Sequence, residues 1–95
     1  MKKLTRREQQ DLVDKIILEI LAKKETIRWT ALEKKVLGTH RPYATSHRFR
    51  LRIQYLLKKN LIKKIGKGMY AITGAGLKYL EYLRTTYCQK KAANF

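Results

Sequence analysis

Gly66, Lys67 and Gly68 separate two short β-prone segments, LIKKI and MYAIT, in a chain whose other apolar residues recur at helical spacing. Glycines on either side of one lysine give the pattern of a tight hairpin, with Gly66 or Gly68 supplying a positive φ and Lys67 at the tip. A hairpin set late among helices makes the chain mainly α with a small β-hairpin, an α+β fold. At 95 residues, the chain has room for one domain, residues 1–95. Its core should bury only about 60 to 65% of the unfolded chain's surface.

Thr5 with Glu8 three residues on makes a capping box, and Leu12, Val13, Ile16, Ile17, Ile20 and Leu21 follow at helical spacing. The first helix is therefore expected over Arg6 to Lys24, with its acids on the other face. Thr26, Ile27, Arg28 and Trp29 are β-branched or bulky and suit a small strand or an extended connector. Thr30 and Glu33 form a second capping box before a short helix, Ala31 to Leu37, with Gly38 placed as its C-terminal cap. The third helix, about 44–59, begins between Pro42 and Ser46. Pro42 suits a first helical position, and Thr45 or Ser46 an N-cap. Phe49, Ile53, Leu56 and Leu57 fall within about 100° of arc and define one buried stripe ending near Asn60, with Leu51 opposite. Thr73 caps a last helix, about 74–92, whose Leu77, Leu80, Leu83 and Tyr87 form a stripe. Gly76 allows a neighbour to approach closely.

Lys and Arg number 23 against 7 Asp and Glu, a formal charge of +16. From Lys34 to Leu80 there are twelve Lys and Arg and no acid, while Glu8, Asp11, Asp14, Glu19 and Glu25 crowd the first quarter. This polarity predicts one anion-binding face and a first helix set apart from it. The partner of so much positive charge is a polyanion, nucleic acid or an acidic membrane surface. The longest uncharged stretch, Met69 to Leu77, is about half of a bilayer span, and no apolar segment follows the N-terminal charges. A soluble, cytoplasmic protein follows as the expectation. Cys88 is the single cysteine, which excludes an internal disulfide and a cysteine-based metal cage. No metal or cofactor is expected.

The order helix, short strand, helix, turn, helix, hairpin, helix is that of a winged helix-turn-helix. The stretch RIQYLLKKNLIKKIGKGMYAITGAGLKYLEYL resembles archaeal winged-helix DNA-binding proteins. Ile53, Leu56, Asn60, Leu61 and Ile62 stand where that family has its spaced leucines, a glycine or asparagine, and Leu-Ile. Tyr70, Ile72, Thr73, Gly76 and Leu80 match its Tyr-x-Ile-Thr-x-x-Gly-x-x-x-Leu opening of the last helix. The likeness runs from Thr30 to Leu83 and is most specific at Ile72-Thr73-x-x-Gly76. It implies a small nucleoid-associated regulator or chromatin protein, of a cell, a virus or a plasmid. The chain departs from it in a very short wing, which limits minor-groove contact, and in having no attached sensor domain.

A major groove about 12 Å wide admits one helix, which reads base edges while flanking cations neutralise phosphates. With the stripe inward, the third helix turns His47, Arg48, Leu51, Gln54, Tyr55 and Lys58 outward, with Arg50 and Arg52 on the shoulders. Arg48 suits guanine, Gln54 adenine, and Leu51 a thymine methyl. Arg41, Tyr43, Thr45 and Ser46 open the helix and suit a phosphate grip. Lys63, Lys64 and Lys67 should meet the flanking backbone. Tyr79, Tyr82, Leu83 and Tyr87 on the last helix offer more apolar arc than one contact needs, which predicts a homodimer. Double-stranded DNA is the expected partner.

An RNA-binding winged helix is the runner-up, with Tyr43 and Tyr55 as stacking residues, and a non-specific chromatin-associated protein is the other alternative. A membrane surface is disfavoured, because the basic face is not a strongly amphipathic helix. An enzyme is the least expected class. His40, His47, Cys88 and Glu81 show no nucleophile and base spacing, two histidines without a nearby carboxylate or thiol make a poor metal site, and Asp11 and Asp14 read as surface charges.

Overall fold

The computed structural model describes residues 4–24 and 26–92. Its elements are α1 (Arg6–Lys23), β1 (Ile27–Arg28), α2 (Trp29–Leu37), α3 (Ser46–Lys58), β2 (Ile62–Ile65), β3 (Met69–Ile72) and α4 (Gly74–Ala92). Together they make an α+β domain of four helices and a three-stranded antiparallel sheet in the order β1-β3-β2, with the β2–β3 hairpin just before the last helix. Glu25, counted among the clustered acids, lies outside the described residues.

The expected Thr5–Glu8 capping box closes both ways. Glu8 N–H donates to Thr5 Oγ1 at 3.1 Å, and Thr5 N–H donates to Glu8 Oε1 at 2.9 Å. The buried stripe of α1 is rotated from the expected one. Val13, Ile17, Leu18 and Leu21 are buried, Leu18 among them unforeseen, while Leu12, Ile16 and Ile20 are half-buried.

The second capping box does not form. Helix α2 starts at Trp29, Arg28 is its N-cap without a side-chain cap, and Thr30 lies inside the helix. The cause is a contact distant in sequence. Trp29 N–H donates to Gly68 O at 2.8 Å, and the Trp29 ring packs on Phe49 and Tyr70 with centroids 4.9 and 5.8 Å away. These contacts fix the start of α2 earlier than local capping does. Gly38 does occupy the C-cap, but with φ −68°; the left-handed residue in this turn is His40, at φ 56°.

The hairpin turns as expected around Lys67, with both glycines at positive φ, 64° and 67°. Its ladder pairs Ile62 with Ile72 and Ile65 with Met69, and β1 joins through Ile27 with Tyr70. Helix α3 ends in a closed turn: Asn60 takes φ 61°, and Leu61 N–H reaches Leu56 O at 2.9 Å. The same turn holds the start of α4. Thr73 Oγ1 donates to Asn60 O at 2.7 Å and accepts from Gly76 N–H at 3.0 Å. A Cβ on Gly76 would collide with Leu61 O, so the expected close approach is backbone on backbone.

Phe49, Ile53, Leu56, Ile62, Leu80 and Leu83 join the α1 residues in one core. Leu77, expected inside, is 50% exposed.

Candidate functional site

The outward side of α3, the segment leading into it and the hairpin form the candidate site. Thr45 is the N-cap of α3 and accepts from Arg48 N–H at 3.2 Å, so of the three possible starts the helix uses Thr45. From there His47, Arg50, Leu51, Gln54, Tyr55 and Lys58 come to the surface along one side. Leu51 is 49% exposed, as its position opposite the stripe requires. Arg41 and Thr45 are exposed at the helix entrance, and Lys63, Lys64 and Lys67 are exposed on the hairpin.

Two arginines expected at this surface are turned inward. Arg48 is half-buried, and its guanidinium donates to Gln9 Oε1 at 2.7 Å and to Tyr43 O at 3.3 Å, holding α3 to α1. Arg52 forms a two-pronged pair with Asp14, Nε to Oδ1 at 2.8 Å and Nη2 to Oδ2 at 2.7 Å. Asp14, expected as a surface charge, is 0% exposed. Both carboxylate oxygens are taken by one guanidinium, and the Tyr79 hydroxyl adds a third bond to Oδ2 at 3.3 Å. Burial raises the Asp14 pKa against the opposing pull of Arg52, while the bond to Asp14 raises that of Arg52.

Arg52 also supports the outer surface. Its guanidinium lies 4.2 Å from the centre of the Tyr55 ring, and Lys59 Nζ lies 5.9 Å from it. Tyr55, 37% exposed, is therefore a ring backed by an immobilised cation. Ser46 is likewise spoken for: its hydroxyl donates to Glu33 Oε2 at 2.7 Å, tying α3 to α2. Tyr43 is half-buried against the core. The Ser46 hydroxyl is therefore not a free phosphate contact.

The first helix is not set apart, as the charge polarity suggested. Its carboxylates engage other helices: Asp14 pairs with Arg52 of α3, Asp11 accepts from the Tyr87 hydroxyl of α4 at 2.7 Å, and Glu19 pairs with Arg84 of α4 at 3.4 Å as well as with Lys15 of α1 itself at 3.2 Å. The Tyr79 and Tyr87 pKa values are raised, first by burial, then at Tyr79 by the Asp14 charge and at Tyr87 by the bond to Asp11. With these acids occupied, Arg50, Lys58, Lys63, Lys64 and Lys67 have no ion-pair partner among the described residues. Lys59, at the C-cap of α3, joins this exposed basic surface and is a residue that sequence reasoning missed; the Lys58-Lys59 pair was the available signal.

The expected pairing surface on α4 is largely consumed inside the chain. Leu83 is fully buried, and Tyr79 and Tyr87 are half-buried with hydroxyls bonded to α1. Tyr82 remains, 59% exposed and stacked on Tyr79 with ring centres 6.1 Å apart.

His47 is exposed on α3, whereas His40 lies in the preceding turn, so the two share no helix face. No group of three or more His, Cys, Asp or Glu that could hold a metal ion occurs among the described residues, and none of the described helices is long and apolar enough to cross a membrane. Compared with known proteins, the chain matches no protein-family model, no curated protein and no solved structure.

Proposed function

We propose that this chain is a winged helix-turn-helix that binds double-stranded DNA, with α3 in the major groove and the hairpin as a short basic wing. One observation carries the reading. The acids of α1 are taken up by internal partners, which leaves the cations of α3 and the hairpin exposed around a helix side that carries polar and apolar groups together. A merely solubilising charge does not require that arrangement.

The reading surface is His47, Arg50, Leu51, Gln54, Tyr55 and Lys58, with Arg50 in place of Arg48 as the arginine free to meet guanine. Gln54 suits adenine, and the exposed Leu51 suits a thymine methyl. Arg41, Lys59, Lys63, Lys64 and Lys67 neutralise phosphates, and Thr45 borders them. The role that follows is a transcriptional regulator, with a chromatin-associated protein as its non-specific form. Pairing of two copies through α4 stays part of the proposal, now centred on Tyr82 and the exposed Leu77.

RNA is the second reading, favoured by the Tyr55 ring held on Arg52 as a ready stacking platform. Fluorescence titration of duplex DNA, duplex RNA and single-stranded RNA of matched sequence at several salt concentrations separates them. If about six phosphates are neutralised, log K for DNA falls with log salt at a slope near −5. Tighter binding to the RNA duplex sinks the major-groove assignment, since an A-form major groove is too narrow for α3.

A further inference from the structure

The rotation of the buried stripe on α1 leaves Leu12, Ile16 and Ile20 half-buried at successive fourth positions. They form a strip about 12 Å long on a helix rising 1.5 Å per residue. This strip floors a groove of about 760 Å³, walled by Tyr43 from the segment before α3 and Tyr87 of α4. Its rim carries five cations, Lys15, Lys23, Lys24, Lys35 and Arg41, and one carboxylate, Glu19. Glu19 is already engaged by Lys15 and Arg84.

We propose that this groove docks an acidic amphipathic helix of a partner protein, its apolar side on Leu12, Ile16 and Ile20 and its carboxylates against Lys23, Lys24, Lys35 and Arg41. The occupant follows from the chemistry of the lining. An apolar strip at helical spacing matches the contact row of a second helix, and a cationic rim selects its flanking charge. A nucleic acid would satisfy the lysines but would set charged phosphates against the strip. A second copy of this chain is a poor occupant, because the acids of its α1 are already bound by Thr5, Tyr87, Arg52 and Lys15. A bilayer is flat, whereas the strip lies between two tyrosine walls. The proposal does not depend on the DNA reading; the two surfaces meet at Arg41, for which an acidic helix and a phosphate compete.

The test is fluorescence anisotropy with a dye-labelled designed peptide of three helical turns, leucines at every fourth position and glutamates on both flanks. The control is the same composition in shuffled, non-amphipathic order. Saturable binding of the ordered peptide is expected, with the shuffled one at least about tenfold weaker. Reversing Lys23→Glu and Lys24→Glu together is expected to weaken the ordered peptide by about tenfold, because two exposed ion pairs with its glutamates no longer form. Ile16→Ser should do the same with its circular dichroism melt retained, and Ile20→Ser replaces it if that variant does not fold. Gln54→Ala should leave peptide binding unchanged, so loss of DNA reading and loss of the groove are seen separately. Equal affinity for ordered and shuffled peptides would overturn the proposal, as would indifference to the lysine reversal.

Discussion

Arg50 and Arg52 stand two residues apart on α3 and carry the same charge into opposite surroundings. Arg52 is closed between the buried Asp14 and the Tyr55 ring, whereas Arg50 is exposed with no ion-pair partner among the described residues. Arg48, one turn before Arg52, shares the inward fate through Gln9 and Tyr43. Charge content alone therefore does not mark a binding surface. What marks it is charge left over after the fold's own acids have been assigned. On this chain that remainder includes Arg50, Lys58, Lys59 and the hairpin lysines on one surface, and Lys23, Lys24, Lys35 and Arg41 around the groove beside α1.

The sharpest way to break the contrast is Asp14→Ala. It strands the Arg52 guanidinium in a half-buried place, and about 3 to 5 kcal/mol of stability should be lost in urea unfolding. Arg50→Ala should shift stability by no more than about 0.5 kcal/mol while weakening DNA binding. Equal stability losses in the two variants would erase the distinction between inward and outward arginines.

The next largest effect is expected on the outward side. Gln54→Ala should relax the preference at one base position, costing roughly 1 to 3 kcal/mol against the preferred sequence, with stability unchanged. Arg48→Ala, by contrast, should lower the urea midpoint and leave base preference intact. If Arg48→Ala alters preference at a defined base instead, its guanidinium leaves Gln9 on binding and belongs to the reading surface after all.

Part of this division was legible in the chain and part was not. The Thr5–Glu8 box, the hairpin around Lys67 and the Thr73 cap are local patterns whose partners lie a few residues away, and each forms. The Thr30–Glu33 box is equally local in sequence, yet Gly68 O holds Trp29 N–H, and Glu33 accepts from Ser46 instead. The side-chain partners of Arg48 and Arg52, Gln9 and Asp14, lie 39 and 38 residues away, beyond any spacing rule. One signal did exist: Asp14 sits next to Val13 and one turn before Ile17 and Leu18, so it shares the buried side of α1. A carboxylate there needs a cation from another element. Leu83 and Tyr87 look surplus for a related reason, because the arc that α1 consumes is wider than a single stripe suggests.

Smaller effects sharpen the inward half. Tyr79 is bonded to Asp14, and burial raises its pKa; Tyr87 is raised in the same direction. A raised value in the folded state means that the stability is fully present below the unfolded phenol's pKa near 10 and is lost as pH rises beyond it. The urea midpoint should therefore hold flat to about pH 10 and then fall. Tyr79→Phe should reduce that fall, and an unchanged alkaline profile would show that the hydroxyl is not held in this network.

Smallest is Lys67→Ala at the hairpin tip. It should weaken every duplex sequence about equally and lower the magnitude of the salt slope by about one. A change confined to particular sequences would move Lys67 from the phosphate group to the reading group.

The division between an outward reading side of α3 and an inward structural one is tested most directly by selection from a random duplex DNA pool. Wild type, Gln54→Ala and Arg48→Ala would be run in parallel, with the bound DNA sequenced. A defined motif for wild type, the same motif for Arg48→Ala and one relaxed position for Gln54→Ala is the predicted result. No enrichment for wild type, or a motif altered by Arg48→Ala and untouched by Gln54→Ala, would contradict it.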